Sequence, residues 1–413
     1  LKFLFVHQNF PGQYRHLAPA LAARGHQVVG LGEARNVERY RDTVSRVSVL
    51  GYRMPEDAEP ALGPLYRHLV DHVRRGEIAA RAAAEIRSRG FVPDLVAAHI
   101  GWGEAIFLKD VFPESRLLLF CEYFYQPRGG DVGFDPQIRP LPGALERLRV
   151  MNAPLLMAMS VCDRGITATE WQRSRFPKPF RAQISVIHDG IDTPRAKADP
   201  QAQFRIPGTE VVLTRHDKVV TYTARNFEPY RGFHVFMRAL PEILAAVPDC
   251  RIVLVGDDGV SYSPRLPEGQ TYRALAMKEF GGRLDPQRVF FLPSQPYEQY
   301  LSLLQVSSAH VYLTYPFVLS WSLLEAMAAE CLVIASDTPP VKEVVRDGEN
   351  GLLFDFFDAK AIVKRVAEAL ADPERTQPLR RRAREEVVER YDLRTRCLPR
   401  HIALAEELAR GAP

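Results

Sequence analysis

Two stretches of this sequence carry residue types and spacings suited to phosphate and sugar chemistry. Residues 315–337 read YPFVLSWSLLEAMAAECLVIASD. An apolar run at 309–314 precedes them, a helix is expected to open at Ser320, and one carboxylate, Glu325, sits within its otherwise apolar face. The unpaired N–H groups of a helix N-terminus favour anions. A carboxylate just inside such a helix accepts hydrogen bonds from vicinal hydroxyls such as those of a ribose. The second stretch, TYTARN at 221–226, is followed by Arg231-Gly232. Two arginines six residues apart, flanking one turn at the carboxyl end of a strand, suit a pyrophosphate, because the planar guanidinium bonds phosphate bidentately. The bland alternative is two solvated arginines. Together the stretches describe a nucleotide-sugar pocket.

Other features are less specific. The first strand ends in HQNFPGQ at 7–13, where Gly12 either lets backbone approach a ligand or serves a tight turn. No GxGxxG fingerprint is present, which argues against a dehydrogenase. His99 ends the run DLVAAH ahead of Gly101 and Gly103; it reads either as a ligand-facing residue or as a histidine capping the next helix. Asp257-Asp258, in GDDG at 256–259, suits a turn better than a cation site, and no metal site is expected. The stretch 65–89 carries six arginines against Asp71, Glu77 and Glu85. A solvated helix face is the default for it, with docking to acidic lipid the minor reading.

These residues need elements to hold them, and 413 residues suffice for two cores. Strands are expected at 2–7, 27–31, 44–50, 95–99, 116–121, 165–168 and 184–187, with helices at 14–24, 65–89 and 145–160 between them. The Pro-rich stretch 190–216 breaks this pattern. It then restarts with strands at 219–223, 251–255, 288–292, 309–314, 332–336 and 352–354. Helices are expected at 231–246, 271–281, 296–304, 320–329, 358–371, 374–390 and about 393–410. Short apolar strands alternating with helices imply parallel sheets covered on both faces. The fold class is therefore α/β, with two facing Rossmann-like domains and a cleft between them: 1–190, a linker at 191–216, 217–390, and a terminal helix at 391–413 packing back towards the first domain. Hydrophobic content of 46%, charged content of 25% and a net charge of +4 are ordinary for a globular protein and give no case for nucleic acid. The five scattered cysteines lack metal spacing and suit buried thiols in a reducing, cytoplasmic setting. LKFLFVH reads as a first strand rather than a leader. No run approaches the ~18 apolar residues of a membrane span, so membrane contact is expected to be peripheral at most.

The chain resembles the retaining glycosyltransferases of family four, which have the GT-B fold. The resemblance runs through HQNFPGQYRHLAPALAARGH, PDLVAAH, TATEWQRSRF, SVIHDGID, TARNFEPYRGF and, most specifically, SLLEAMAAECLVIASDTPPVKEVVRDGENGLLF. It implies that Arg225 and Arg231 bind the donor pyrophosphate, the second being more often lysine in the family. It further implies that Glu325 holds the ribose hydroxyls, that backbone amides near Leu319, Ser320 and Leu323 meet phosphate and sugar, and that Gly12 closes over the phosphates. His99 would lie near the donor sugar, Asn226 beside the donor, and Ser294 and Gln295 against the base. One position departs. The family has Glu, seven residues, then Glu; eight places before Glu325 stands Phe317, which is expected to offer an apolar patch near the sugar.

The implied reaction moves a sugar from a nucleoside diphosphate sugar to a hydroxyl of a glycan, lipid-linked saccharide or small molecule. It proceeds with retention, without cofactor or metal, and the leaving phosphate takes the acceptor's proton. His99, Arg225 and Arg231 are its expected catalytic residues. A degenerate nucleotide-sugar-binding or partner subunit is the alternative, as is a GT-B epimerase using Glu104 or Glu122. The aromatic loop 123–135 is expected either to grip a sugar chain or to pack as a lid.

Overall fold

The computed structural model describes residues 1–40, 43–55, 63–138 and 143–411. The chain divides into two compact units, Leu1–Gly190 with Arg394–Pro413, and Ile191–Leu393.

The first unit is built on seven strands: β1 (Lys2–Val6), β2 (Gln27–Glu33), β3 (Ser48–Tyr52), β4 (Leu95–His99), β5 (Arg116–Phe120), β6 (Arg164–Thr167) and β7 (Ile184–Val186). They form one parallel sheet in the order β3-β2-β1-β4-β5-β6-β7. Side chains alternate along β1, as a strand buried on both faces requires. Phe3 and Phe5 join Leu17, Ala18 and Leu21 on one face, and Leu4 and Val6 join Ala79, Ala83 and Ile86 on the other. Ala405 and Leu408, from the terminal helix Leu398–Ala409, complete the first face. Residues 412–413 of that helix's expected span lie outside the described residues.

In the second unit, β8 (Gln203–Arg205) and β9 (Val212–Thr214) form an antiparallel hairpin. Then come β10 (Val219–Asn226), β11 (Arg251–Asp257), β12 (Val289–Leu292), β13 (Ala309–Tyr312), β14 (Val333–Ser336) and β15 (Leu352–Phe354). These six form a parallel sheet in the order β12-β11-β10-β13-β14-β15. The hairpin occupies the stretch expected to be a linker. Its Phe204 and Leu213 are buried with Val219, Val253, Val255 and Leu303, so the stretch is part of the second core.

In each sheet the strand order reverses once, between β1 and β4 and between β10 and β13. Loops at the carboxyl ends of such strand pairs diverge and leave room for a ligand. His7, Gly12 and His99 lie at or just past the ends of the first pair, and Arg225, Asn226, Arg231 and Thr314 at or just past the second. Both sheets are therefore doubly wound and Rossmann-like. Cys121, Cys250, Cys331 and Cys397 are buried free thiols, and Cys162 is half-buried. No helix among the described residues is long and apolar enough to cross a membrane.

Candidate functional site

In the second unit the ladder between β10 and β11 shifts register between Thr223 and Asn226. Such an irregularity at a strand's end re-aims the side chains beside it. Arg225 lies in this stretch, with its side chain exposed. Asn226 donates from Nδ2 to the Ser261 hydroxyl at 2.7 Å. Arg231 ends the short 3-10 turn Pro229–Arg231 and is half-buried. Its Nη1 donates to the Thr314 hydroxyl at 2.7 Å and to the Val318 carbonyl at 3.2 Å, which fixes the guanidinium beside the loop after β13. Gly232 follows with φ +67°, and a Cβ there would meet Leu313 Cβ at 2.3 Å. The turn that delivers Arg231 thus requires glycine next to it.

Glu228, inside NFEPYRG, was not singled out from the sequence. It is buried, and its carboxylate accepts from the amides of Ser261, Tyr262 and Ser263 at 2.9 to 3.3 Å. Those bonds hold the loop after β11 against the Arg231 turn, and Tyr262 lies 5.9 Å from the Arg231 guanidinium. Asp257 accepts from the amide and hydroxyl of Ser294 at 3.0 and 2.6 Å. These bonds hold the Asp257 carboxyl below its usual range. Asp258 pairs with Arg273. The two aspartates thus tie loops together. Gln295 bonds the Pro293 carbonyl at 2.7 Å.

The helix Trp321–Ala328 is capped by Ser320, whose hydroxyl accepts from the Ser322 amide. The Ser320 amide donates to the Tyr312 hydroxyl at 3.0 Å, and the Leu323 amide to the Ser320 carbonyl at 3.3 Å. The Ser320 and Leu323 amides, expected to meet the donor, are therefore already engaged in holding the helix terminus. Leu319 and Leu323 are core side chains. Glu325 is half-buried one turn in and accepts from Tyr297 at 2.8 Å and Tyr300 at 3.0 Å. Both tyrosines belong to the helix Tyr297–Val306. Phe317 offers no open apolar patch: its ring is 4% exposed, packed against Tyr230 and Tyr262 with centroids at 5.6 and 4.8 Å.

In the first unit, His7 follows β1 and His99 ends the adjacent β4, and their rings meet edge-to-face, with centroids 4.9 Å apart. Gly12, at φ +49°, packs on His7: a Cβ there would sit 2.8 Å from Nε2. His99 does cap the next turn, its Nδ1 accepting from the Gly101 amide at 3.0 Å. The ring proton therefore lies on Nε2, 3.6 Å from the Glu122 carboxylate. Burial lowers the pKa of both histidines, His7 to about 4, so both are neutral imidazoles near pH 7. Glu104 is buried against Tyr52, which donates to it at 2.7 Å, and Arg75 bonds Tyr52 and Glu33. Glu104 Oε1 takes the Tyr52 bond, and its Oε2 is buried with no hydrogen-bond partner among the described residues. The loop 123–135 is pinned by Tyr123 to Asp131 at 3.0 Å, by Asn152 to both backbone groups of Tyr125, and by Gln126 to the Arg175 carbonyl.

The sequence of each unit matches a family model. Residues 24–196 match the glycosyl transferase family 4 group, and residues 209–386 match glycosyl transferases group 1. The chain belongs to the family-four type of glycosyltransferases. A GDP-mannose-dependent α-(1-6)-phosphatidylinositol monomannoside mannosyltransferase of Mycolicibacterium smegmatis is 26% identical to it over 240 residues, which are 55% of this chain and 58% of the relative. A phosphatidyl-myo-inositol mannosyltransferase of Mycobacterium tuberculosis is 29% identical over 251 residues, 59% of this chain and 58% of the relative. The matches thus span under two thirds of these relatives. Among solved structures, Anabaena HepE in complex with UDP superposes with a TM-score of 0.68 at 17% identity, covering 98% of this chain and 100% of that one. Sucrose-phosphate synthase of Thermosynechococcus elongatus reaches 0.70 at 18% identity over the whole of both chains. At such identities the likeness concerns the fold, and it gives this glycosyltransferase chain the GT-B arrangement of two Rossmann-like domains.

Proposed function

We propose that this protein transfers a sugar from a nucleoside diphosphate sugar to a hydroxyl, with retention at the anomeric carbon. The observation that carries this reading is the anchored Arg231 beside the exposed Arg225, at the switch point of the second sheet. In the transition state negative charge grows on the leaving diphosphate while the sugar becomes oxocarbenium-like. A guanidinium already fixed by Thr314 and Val318 meets that charge without reorganising, and one such donor contributes about 3 kcal/mol. Glu325, ordered by two tyrosines, takes the ribose hydroxyls. Asn226, Ser294 and Gln295 border the base, and Leu319, Ser320 and Leu323 shape the helix end facing the donor. In the first unit, Gly12 and His99 lie at the carboxyl-end switch point of its own sheet. No divalent cation is assigned, because arginines take the charge and Asp257 and Asp258 serve their own loops. Same-face substitution follows, with the departing phosphate taking the acceptor's proton.

The acceptor class is a polyol or glycan hydroxyl, in keeping with relatives whose names include phosphatidylinositol and D-inositol 3-phosphate. Cytoplasmic placement, with membrane contact no more than peripheral, completes the reading. Phe317, standing where family members carry glutamate, favours one second reading, a binding subunit without turnover. The experiment is a thermal-shift and turnover panel of nucleotide sugars including UDP-glucose and GDP-mannose. Stabilisation by one donor together with release of its nucleoside diphosphate is expected. Stabilisation without release would assign the binding subunit, and neither effect with any donor would overturn the transferase reading.

A further inference from the structure

In the second sheet, the connections from β10 to β11 and from β11 to β12 run one way along the strand order, and those from β12 to β13 and from β13 to β14 run the other. Right-handed crossovers therefore put their helices on opposite faces. The helices Phe233–Ala246 and Tyr272–Phe280 cover one face. The helices Tyr297–Val306 and Trp321–Ala328 cover the other and share one core through Leu301, Leu304, Leu323 and Leu324. Glu325 and its two tyrosines belong to this second pair. Arg231 and Tyr262 lie on the connections that lead to the first pair. A ligand held by both Glu325 and Arg231 thus lies across the carboxyl edge of the sheet and continues past Arg231 on the side of Tyr262. Tyr262 is 39% exposed, and its ring centroid lies 5.9 Å from the Arg231 guanidinium carbon. Tyr230 and Phe317 back the ring, with centroids at 5.7 and 4.8 Å. Glu228 fixes the backbone through the Ser261, Tyr262 and Ser263 amides, Asn226 bonds Ser261, and Ser263 Oγ accepts from the Tyr230 amide at 3.2 Å. A tyrosine held in this way presents rigid aromatic area with little side-chain entropy left to lose.

We propose that Tyr262 binds the transferred sugar by packing its ring on the C–H face of the pyranose. This rests on the glycosyltransferase reading, in which Glu325 takes the ribose and Arg231 the diphosphate. The sugar is then the group that lies beyond the diphosphate. A pyranose joins an apolar C–H face to a rim of hydroxyls, and an exposed aromatic ring takes that face while its phenol end stays polar. Phe317, itself buried behind Tyr262, keeps the ring from turning inward.

The test is calorimetric titration of the full chain with UDP, UDP-glucose, GDP and GDP-mannose, in wild type, Tyr262→Leu and Tyr262→Phe. Leucine keeps apolar bulk against Tyr230 and Phe317 and removes the aromatic face. Tyr262→Leu should bind the preferred nucleotide sugar roughly 3- to 10-fold more weakly, the range of an aromatic contact, and the matching nucleoside diphosphate with unchanged affinity. Tyr262→Phe should bind both as the wild type does. The ratio of the two affinities is the readout, so a lower melting temperature alone does not mimic the effect. Equal weakening of nucleotide sugar and nucleoside diphosphate would overturn the inference by placing the ring on the base or the diphosphate. Unchanged affinity for both in Tyr262→Leu would overturn it by leaving the ring out of the site. A Tyr262→Phe variant as weak as Tyr262→Leu would overturn it by assigning the contact to the hydroxyl. Wild-type protein that binds neither nucleoside diphosphate nor either nucleotide sugar would remove the transferase reading itself.

Discussion

Tyr300, half-buried on the neighbouring helix, donates its hydroxyl to Glu325 at 3.0 Å. Burial and the adjacent Glu325 charge hold that phenol well above its usual pKa, so it stays a donor throughout the working range. Tyr297 donates to the other oxygen at 2.8 Å. The carboxylate is thereby aimed by two phenols. Tyr300→Phe should weaken nucleoside diphosphate binding about 3- to 10-fold and lower stability by about 1–2 kcal/mol. Calorimetric titration with UDP and GDP, with urea unfolding, checks this. Equal affinities in wild type and variant would mean that Glu325 does not face the nucleotide.

Phe317 tests how far the family pattern transfers. The ring fills a buried space between Tyr230 and Tyr262. Phe317→Glu should therefore lower stability by about 3 kcal/mol or more through burial of a charge, with no gain of turnover. Phe317→Leu should cost under about 1.5 kcal/mol. A Glu variant as stable as wild type and more active would show that the position opens on the sugar.

Gly232 and Gly269 both have positive φ, yet they differ in their surroundings. A Cβ at Gly232 strikes Leu313, whereas one at Gly269 meets nothing within 4 Å. Gly269→Ala should cost about 1 kcal/mol of backbone strain, and Gly232→Ala about 3 kcal/mol or more, displacing Arg231 as well. Melting temperatures of the pair decide it; equal shifts would mean that the Gly232 turn relaxes freely.

Acid sensitivity should begin early. Burial lowers the pKa of His7 and His310 to about 4 and of His188 to about 3. Unfolded histidine titrates near 6.5, so between about 6.5 and 4 the unfolded chain binds protons that the folded chain refuses. Stability therefore falls as pH drops through that window. Glu406 follows later. Hydrogen bonds from Arg24 and His26 lower its pKa to about 2, so its contribution is present above about 4.5 and fades towards 2. Urea midpoints at pH 7.5, 5.5 and 4.5 should decline steadily. A midpoint constant down to pH 4.5 would contradict neutral burial of these histidines.

The strands of both sheets were legible because each is a short apolar run ending in a polar or glycine-bearing turn, save that β3 is Ser48–Tyr52 rather than the expected 44–50. β8 and β9 were not, since three-residue strands around Pro207-Gly208 look like a prolyl loop until Phe204 and Leu213 are seen in the core. Glu325 was legible as a lone acid in an apolar helix. Its tyrosines, 25 and 28 residues upstream, were not, because their pairing depends on how two helices lie together. Glu228 was hidden for the same reason, its partners lying 33 to 35 residues on. Phe317 was misleading, since hydrophobicity alone does not say whether a ring at a site faces the ligand or the core.

Arg225 and Arg231 carry the central claim. The most direct measurement is kcat/KM for nucleoside diphosphate release from the donor that stabilises the protein, in wild type, Arg225→Ala and Arg231→Ala. Each variant should fall about 100- to 1,000-fold. Wild-type turnover in both would contradict the claim that these arginines take the charge of the leaving diphosphate.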